Sequence, residues 1–591
     1  MSFHTVFVRT LNLLILMSMF LSLQGLAQSS NEKFERVLAD HWSVYLKANP
    51  EVATGLGVRE YDHLLSDPSL EAYDAYVEQL TLFLERAEAI EATFLSQENR
   101  LNKALFVLEL QTQIEAAQHG GKYMIMTNRG GPHLSLTNLV GRLPFFTIED
   151  YQSYLARLQL MPDYLAKASA RLETGIQAGW VQPCEPMQGF EKSIQTHIVD
   201  ELADSVFLKP FNSAPTKLSG EEFSKLKNTA EKVVDNNVIP AFEAFNKFYL
   251  EKYAPACREQ VGTSAMEGGD AYYSHRVKRF TTTDLSADDV HQLGQSEVAR
   301  IRNEMLEVIK QANFKGSFEE WLVYLRDNPE FYPKTPAERM DKVAAISKKI
   351  DGKLPELFGR LPRMPYGLKE IPADIAEKTT TAYYQRPAGD GSRAGFYFVN
   401  TSKLDTRPLY QLEALSLHEA VPGHHLQLAI AQELELPNFR KYGGITVFVE
   451  GWALYAERLG LEVGFYETPY TDFGRLSYEM WRACRLVVDT GLHSKGWTRQ
   501  QAIDFMAENS GLSMNNIVSE VDRYITWPGQ ALAYKMGELK IRELRDRAET
   551  VLGEKFDVRA FHDKILENGA LPLSILEQII DDWLSQEQKA A

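Results

Sequence analysis

Three histidines and a carboxylate fall within eight residues of this chain, His418-Glu419-Ala420-Val421-Pro422-Gly423-His424-His425. Neutral imidazole nitrogens and carboxylate oxygens are the donors a zinc ion takes. A catalytic zinc site uses three of them and keeps a fourth position for water. In the common His-Glu-x-x-His helix the two histidines sit one turn apart on one face, and the Glu reaches the water rather than the ion. Here position 422 is Pro, and the next histidines come six and seven residues after His418. On a straight helix six residues advance about 600°, turning His424 away from His418; seven advance about 700° but place His425 about 10.5 Å along the axis.

Pro422 resolves that mismatch, because it lacks an N–H and its ring collides with the carbonyl of residue 418 in a continuous helix. Gly423 loosens the next peptide. The helix is therefore expected to break at Pro422-Gly423, with His424 returning to His418 as second ligand and His425 beside it; His425 is the alternative second ligand. The third ligand expected is Glu450, 32 residues after His418, a gap that fits helix, turn, helix. Glu457, two turns further on, is the competing acid; its other expected roles are to orient a ligand histidine or to pair with Arg458 at the surface. Glu419 is the candidate general base.

Peptide hydrolysis also needs a donor for the developing oxyanion. Tyr524, Tyr534 and His493 are the candidates, with Asp489 one helical turn before His493 and placed to orient it. Arg482 and Arg485 are candidates for a substrate carboxylate, or for pairing with internal acids. The stretches 381–384 and 395–400 favour strands, separated by a turn-rich segment, and read as a hairpin or small sheet. Gly395 and Tyr397 on it are candidates for contact with an extended peptide added at a sheet edge.

The elements that must position these groups are almost all helical. A 3.6-residue periodicity marks helices near 34–46, 68–93, 98–118 and 220–252, and a helical pair over 148–179. A change of character near 260–275 divides an N-terminal helical lobe, 28–265, from a catalytic lobe, 266–591. Helices resume at 285–313 and 336–352, then at 408–434, 446–463, 472–494, 498–508, 514–524, 529–549 and 572–586. Residues 11–23 are an apolar run of signal-peptide length following Arg9, with Gly25 and Ala27 suiting cleavage after residue 27. Export to the periplasm or medium is expected, with no membrane attachment afterwards. The cysteines are Cys184, Cys257 and Cys484. None lies near the leader, so a lipid-modified N-terminus is not expected, and Cys184 with Cys257 is the favoured disulfide. Sixty-three basic against eighty acidic residues give a net charge of −17, which argues against nucleic acid and anionic membranes as partners. Oligomeric state has no signature in the chain.

The segment 418–427 resembles the signature of the bacterial DUF-885 family, as do 396–400, 449–455, 482–491 and 528–535. Such proteins are similar to mostly helical zinc peptidases of the thimet-oligopeptidase kind. The resemblance implies a two-lobed, mainly α fold with a deep channel, one zinc ion, a peptide substrate, Glu419 as base and Glu450 as third ligand. A zinc amidase or esterase acting on small molecules, and a non-catalytic exported peptide-binding protein, are the competing readings.

Overall fold

The computed structural model describes residues 28–590 apart from 142, 216–217, 377–379, 390 and 392; the expected leader, 1–27, lies outside them. Helices dominate, joined by short connections. The first spans 28–48 and stops before Pro50. A hairpin follows, in which Leu70–Glu88 packs against α1 (Gln97–Ala117). Ser69 and Ser96 cap these two helices by accepting the N–H groups of Ala72 and Asn99, each cap contributing about 1 kcal/mol. Residues 148–179 are not the expected helical pair. They form one helix, Ile148–Gln177, with Pro162 inside it. Its capping box at Thr147 and its apolar face of Tyr154, Leu158, Met161 and Leu165 outweigh the roughly 3 kcal/mol that an interior proline costs.

Buried residues from Met126 to Tyr253 make one core, against which Leu65 also packs. The core around Phe34, Phe83 and Phe106, by contrast, packs against Phe439, and Leu105 joins a core that otherwise runs from Ile350 to Leu584. The first hairpin thus shares its packing with the second half of the chain.

The second half opens with α2 (Gly269–Thr281). Three short strands follow: β1 (Tyr366–Glu370), β2 (Ala382–Gln385) and β3 (Gly395–Val399), in the order β1-β3-β2. β2 and β3 are the anticipated antiparallel pair, with Tyr384 opposite Tyr397. β1 adds in parallel to the other side of β3, with Leu368 opposite Tyr397. The fold is mainly α with a small mixed sheet. Then come α3 (Leu412–Glu419), α4 (His424–Glu433), α5 (Thr446–Leu459), α6 (Pro469–Ser494), α7 (Met514–Thr526) and α8 (Ala533–Leu552).

α6 is the spine. Every residue from Phe473 to His493 is buried, yet the helix carries Arg475, Glu479, Arg482, Arg485, Asp489 and His493. A helix buried on all sides is normally apolar, and an unpaired internal charge is strongly destabilising. Each of these six groups has a partner from another part of α6 or from a neighbouring element. α5 and α8 cross in close contact. A Cβ on Gly451 would lie 2.4 Å from the Gly537 Cα, and one on Gly537 would lie 1.9 Å from the Val447 carbonyl oxygen. Only glycine at both positions permits that approach. It sets the height of Tyr534, one turn before Gly537, whose ring stacks on His418.

Candidate metal centre

The single helix expected over 408–434 is two. α3 ends at Glu419, Ala420 leaves helical geometry (φ −98°, ψ −110°), the Val421–Pro422 peptide is cis, and α4 begins at His424. The break is held by hydrogen bonds from Gly423 N–H to the Leu417 carbonyl (2.9 Å), from His425 N–H to the Ala420 carbonyl (2.9 Å) and from the Trp452 indole to the Pro422 carbonyl (2.8 Å). Gly423 is obligatory: a Cβ there would stand 2.0 Å from the His418 carbonyl oxygen and 2.4 Å from that of Leu417. The chain folds back so that the rings of His418 and His424 meet at 4.8 Å between centroids, inclined by 82°.

Glu450, one turn into α5, completes the set. Its Oε2 lies 3.8 Å from His418 Nε2 and 3.5 Å from His424 Nε2, and the three ligand atoms all fall within 4.8 Å of one another. Oε2 is buried and makes no hydrogen bond. These separations are long for hydrogen bonds. They match atoms that share one tetrahedral ion, since two ligands each about 2.1 Å from zinc stand about 3.4 Å apart. An N,N,O donor set is also the chemistry zinc accepts. The residues therefore fit the ion. His418 is closed off, with 4% of its side chain exposed, whereas His424 and Glu450 keep 12% and 18%, so the open face of the site is theirs.

The surroundings set protonation. Burial, then the charge of His424, hold His418 well below the ordinary imidazole value, in the neutral form that ligates. Its Nδ1 bonds Glu457 Oε1 at 2.8 Å. Glu457 in turn lies 3.4 Å from the Arg482 guanidinium; burial pushes its carboxyl up and Arg482 opposes that. Glu419, the residue after the first ligand, is 8% exposed, and burial raises its carboxyl to about 7, with His424 and a backbone hydrogen bond from Tyr384 pulling against the rise.

His425 turns away from this set. Its Nδ1 meets the Tyr384 hydroxyl at 2.8 Å, and its ring packs on Tyr366. Of the two candidate second ligands, His424 is therefore the one in the cluster.

Several other expected roles meet a different geometry. His493 is fully buried; its Nε2 bonds the Tyr524 carbonyl and its Nδ1 accepts the Thr263 N–H, so it cannot reach a substrate oxygen. Asp489 does not orient it. Asp489 accepts from the Tyr273 hydroxyl at 2.6 Å and from Gly529 N–H at 3.1 Å. Arg482 and Arg485 are internal rather than open to a substrate carboxylate. Arg482 backs Glu457, and Arg485 pairs with Glu520 at 2.9 Å. β3 is the central strand, so its edge is not free for a peptide. Tyr397 is wholly buried, and Gly395 makes room for Tyr384, whose hydroxyl would lie 2.1 Å from a Cβ at 395. β2 is an outer strand of the sheet, and its Tyr384 N–H bonds Glu419.

The two tyrosines separate clearly. The Tyr524 hydroxyl is consumed in the core, accepting from Trp481 Nε1 and Arg485 Nε, each at 2.9 Å. Tyr534 stacks on His418, with 6.4 Å between centroids and planes 14° apart, and is held by Arg523 from 3.3 Å. Arg523, Tyr384 and Trp452 also shape the site without any sequence signal for it. Each acts through a contact between distant segments, and no spacing within one segment reveals that.

A cavity of about 2910 Å³ has Tyr384 and Ile445 in its wall, but not His418, Glu419, His424, Glu450 or Tyr534. Its wall combines Trp42, Tyr76 and Arg129 from the N-terminal half with Tyr384, Arg386 and Ile445 from the second. Tyr384 joins the wall to His425, and Ile445 precedes the helix that carries Glu450.

A comparison with curated proteins finds no match. Among solved structures, one described as a "putative lipoprotein" from Colwellia psychrerythraea superposes with a TM-score of 0.88 at 28% identity, covering 94% of this chain and 99% of its own. A second, from Shewanella oneidensis and described as a lipoprotein of unknown function in the same terms, gives 0.68 at 19% identity, covering 93% and 99%; at that identity the likeness is one of fold. Residues 50–580 match the family model described as a bacterial protein of unknown function, DUF885, and the chain belongs to that family.

Proposed function

We propose that this protein is an exported, zinc-dependent peptidase. The observation that carries the reading is the convergence of His418 Nε2, His424 Nε2 and Glu450 Oε2 within 4.8 Å, with Glu419 next in sequence to the first of them. One zinc held by these three would polarise a carbonyl and make the attacking water acidic near neutral pH. Glu419 takes the proton from that water and passes it to the leaving amine. Tyr534, fixed by Arg523 and by stacking on His418, donates its hydroxyl hydrogen to the carbonyl oxygen as charge develops there. Main-chain groups of β2, an outer strand of the sheet, are the candidates for hydrogen bonds to an extended peptide, apart from the Tyr384 N–H that Glu419 accepts.

The cavity walled in part by Tyr384 and Ile445 offers about 2910 Å³, against about 300–1,000 Å³ for small-molecule pockets; a peptide reading uses that room and the amidase or esterase reading does not. A non-catalytic peptide binder would have no use for Glu419 beside a zinc ligand set. Export is supported by the Cys184–Cys257 disulfide, a bond that persists in oxidising compartments, and by the lipoprotein descriptions of the two structural relatives.

The test is zinc content measured together with cleavage of a peptide library. The expected result is one tightly held zinc equivalent that is lost in His424→Gln, and peptide cleavage that falls by at least about 10²-fold in Glu419→Gln while that equivalent stays bound. Undiminished cleavage by Glu419→Gln, or zinc unaffected by His424→Gln, overturns the reading.

A further inference from the structure

A second group of metal-binding side chains lies apart from the first. Glu115 is on the last turn of α1, His119 follows it by one helical turn, and His275 is on α2. Their ligand atoms lie within 4.8 Å of one another, the same closeness as at His418, His424 and Glu450. The His119 and His275 rings are 5.2 Å apart at 33°. His275 Nδ1 stands 3.6 Å from Glu115 Oε1, beyond a hydrogen bond and close to the spacing of two ligands on one tetrahedral ion. His275 is 5% exposed, and its Nε2 has no hydrogen-bond partner. A histidine gives an ion one nitrogen, so either Nδ1 faces it from beside Glu115 or the unpartnered Nε2 does.

We propose that Glu115, His119 and His275 form a second divalent transition-metal site, which ties the end of α1 to α2. Two imidazoles and one carboxylate suit zinc, nickel, cobalt or copper and do not suit magnesium or calcium, which take oxygen ligands. Access is open from solvent, since Glu115 is half exposed and His119 partly so.

The charged groups around the cluster act in two directions. Burial is the main influence holding His275 below its ordinary value, and the neighbouring His119, Arg279 and Arg276 add to it while Glu115 opposes. The ring is thereby kept neutral, the form that ligates. Glu115 is half exposed, where water competes for the ion, whereas Glu450 is 18% exposed, so this site binds more weakly than the one at His418. Arg276 is partly turned aside, bonding the Pro528 carbonyl and lying over the Phe280 ring.

The consequence is structural. Gln113 and Ala116 of α1 and Arg279 of α2 all line the large cavity. An ion here fastens one part of the cavity wall, contributed by the first hairpin, to another that belongs to the second half.

The experiment is a titration of the metal-stripped full-length chain with Zn²⁺, and with Co²⁺ to read ligand type from its visible spectrum. Wild type is expected to bind two equivalents, the second more weakly. Glu115→Gln and His119→Gln, both at accessible positions, should each lose the weaker equivalent and leave the tighter one. His424→Gln should lose the tighter one and keep the weaker. The double variant His119→Gln/His424→Gln should bind neither. If wild type binds one equivalent that survives His119→Gln, the second site is refuted while the His418 centre stands. If the one bound equivalent survives His424→Gln and disappears in His119→Gln, the second site stands and the proposed peptidase centre falls.

Discussion

Glu457 bonds Nδ1 of His418 at 2.8 Å and thereby leaves Nε2 to face His424 and Glu450. A buried neutral imidazole carries one N–H, and the acceptor on Nδ1 decides which nitrogen holds it. Arg482 keeps Glu457 in place from behind. In the proposed zinc site Glu457 would thus hold His418 in the tautomer that leaves Nε2 free to ligate, although it lies two turns beyond Glu450 in sequence.

Replacing Glu457 should weaken the metal without removing a ligand. Glu457→Gln is expected to lower zinc affinity at the His418 centre by about 10-fold or more, read by competition with a chelator of known affinity. An unchanged affinity would mean that Nδ1 is not where the proton sits.

Gly423 carries a different prediction, since it concerns backbone geometry. A Cβ at 423 runs into the carbonyl oxygens of both Leu417 and His418, and neither belongs to a flexible side chain. Gly423→Ala should cost about 3 kcal/mol or more and abolish zinc binding at His424. Gly444→Ala is the control, because a Cβ at 444 would meet no atom within 4 Å. Chemical denaturation of both variants checks the pair; equal stabilities would show that the break between α3 and α4 tolerates a side chain.

The chain announces some of this and hides the rest, for physical reasons. The break at Pro422-Gly423 is legible because proline inside a helix has few outcomes and because three histidines make only some of them useful. The β2–β3 pair is legible from its aromatic and β-branched residues. β1 is not: it follows closely on Pro362 and Pro365, and its partner β3 begins 29 residues after it does. Without that strand in view, β3 reads as an edge. Arg482 and Arg485 read as substrate groups because their actual partners, Glu457 and Glu520, come from helices 25 and 35 residues away. Pairing across such distances is set by packing and leaves no local spacing. The helix through Pro162 misleads for the opposite reason, a strong local signal overruled by tertiary burial.

The disulfide makes a prediction about compartment and stability. Cys184 and Cys257 are joined across a separation of 73 residues, and Cys484 is buried and free. Closing a loop of that length restrains the unfolded chain by about 4 kcal/mol. The native protein should show no reactive thiol, one after denaturation without reductant, and three after denaturation with it. The double variant Cys184→Ser/Cys257→Ser should melt at a lower temperature and become insensitive to reductant. Three thiols in unreduced, denatured protein would exclude the bond.

The two tyrosines near the centre provide the sharpest test of the proposed chemistry, because the same substitution should do different things at each. Tyr534 stacks on His418 and is 8% exposed. Its hydroxyl accepts from Arg523 at 3.3 Å, which leaves its own hydrogen to turn toward a substrate oxygen. Tyr534→Phe should lower kcat by about 10²-fold and leave KM, zinc content and melting temperature nearly unchanged. Tyr524 is 1% exposed, and its hydroxyl accepts from Trp481 and Arg485. Tyr524→Phe strands both donors in the core, which costs about 1–3 kcal/mol of stability, while turnover per folded molecule persists. If Tyr524→Phe abolishes turnover in a folded, zinc-loaded protein and Tyr534→Phe does not, the oxyanion donor is Tyr524 rather than Tyr534.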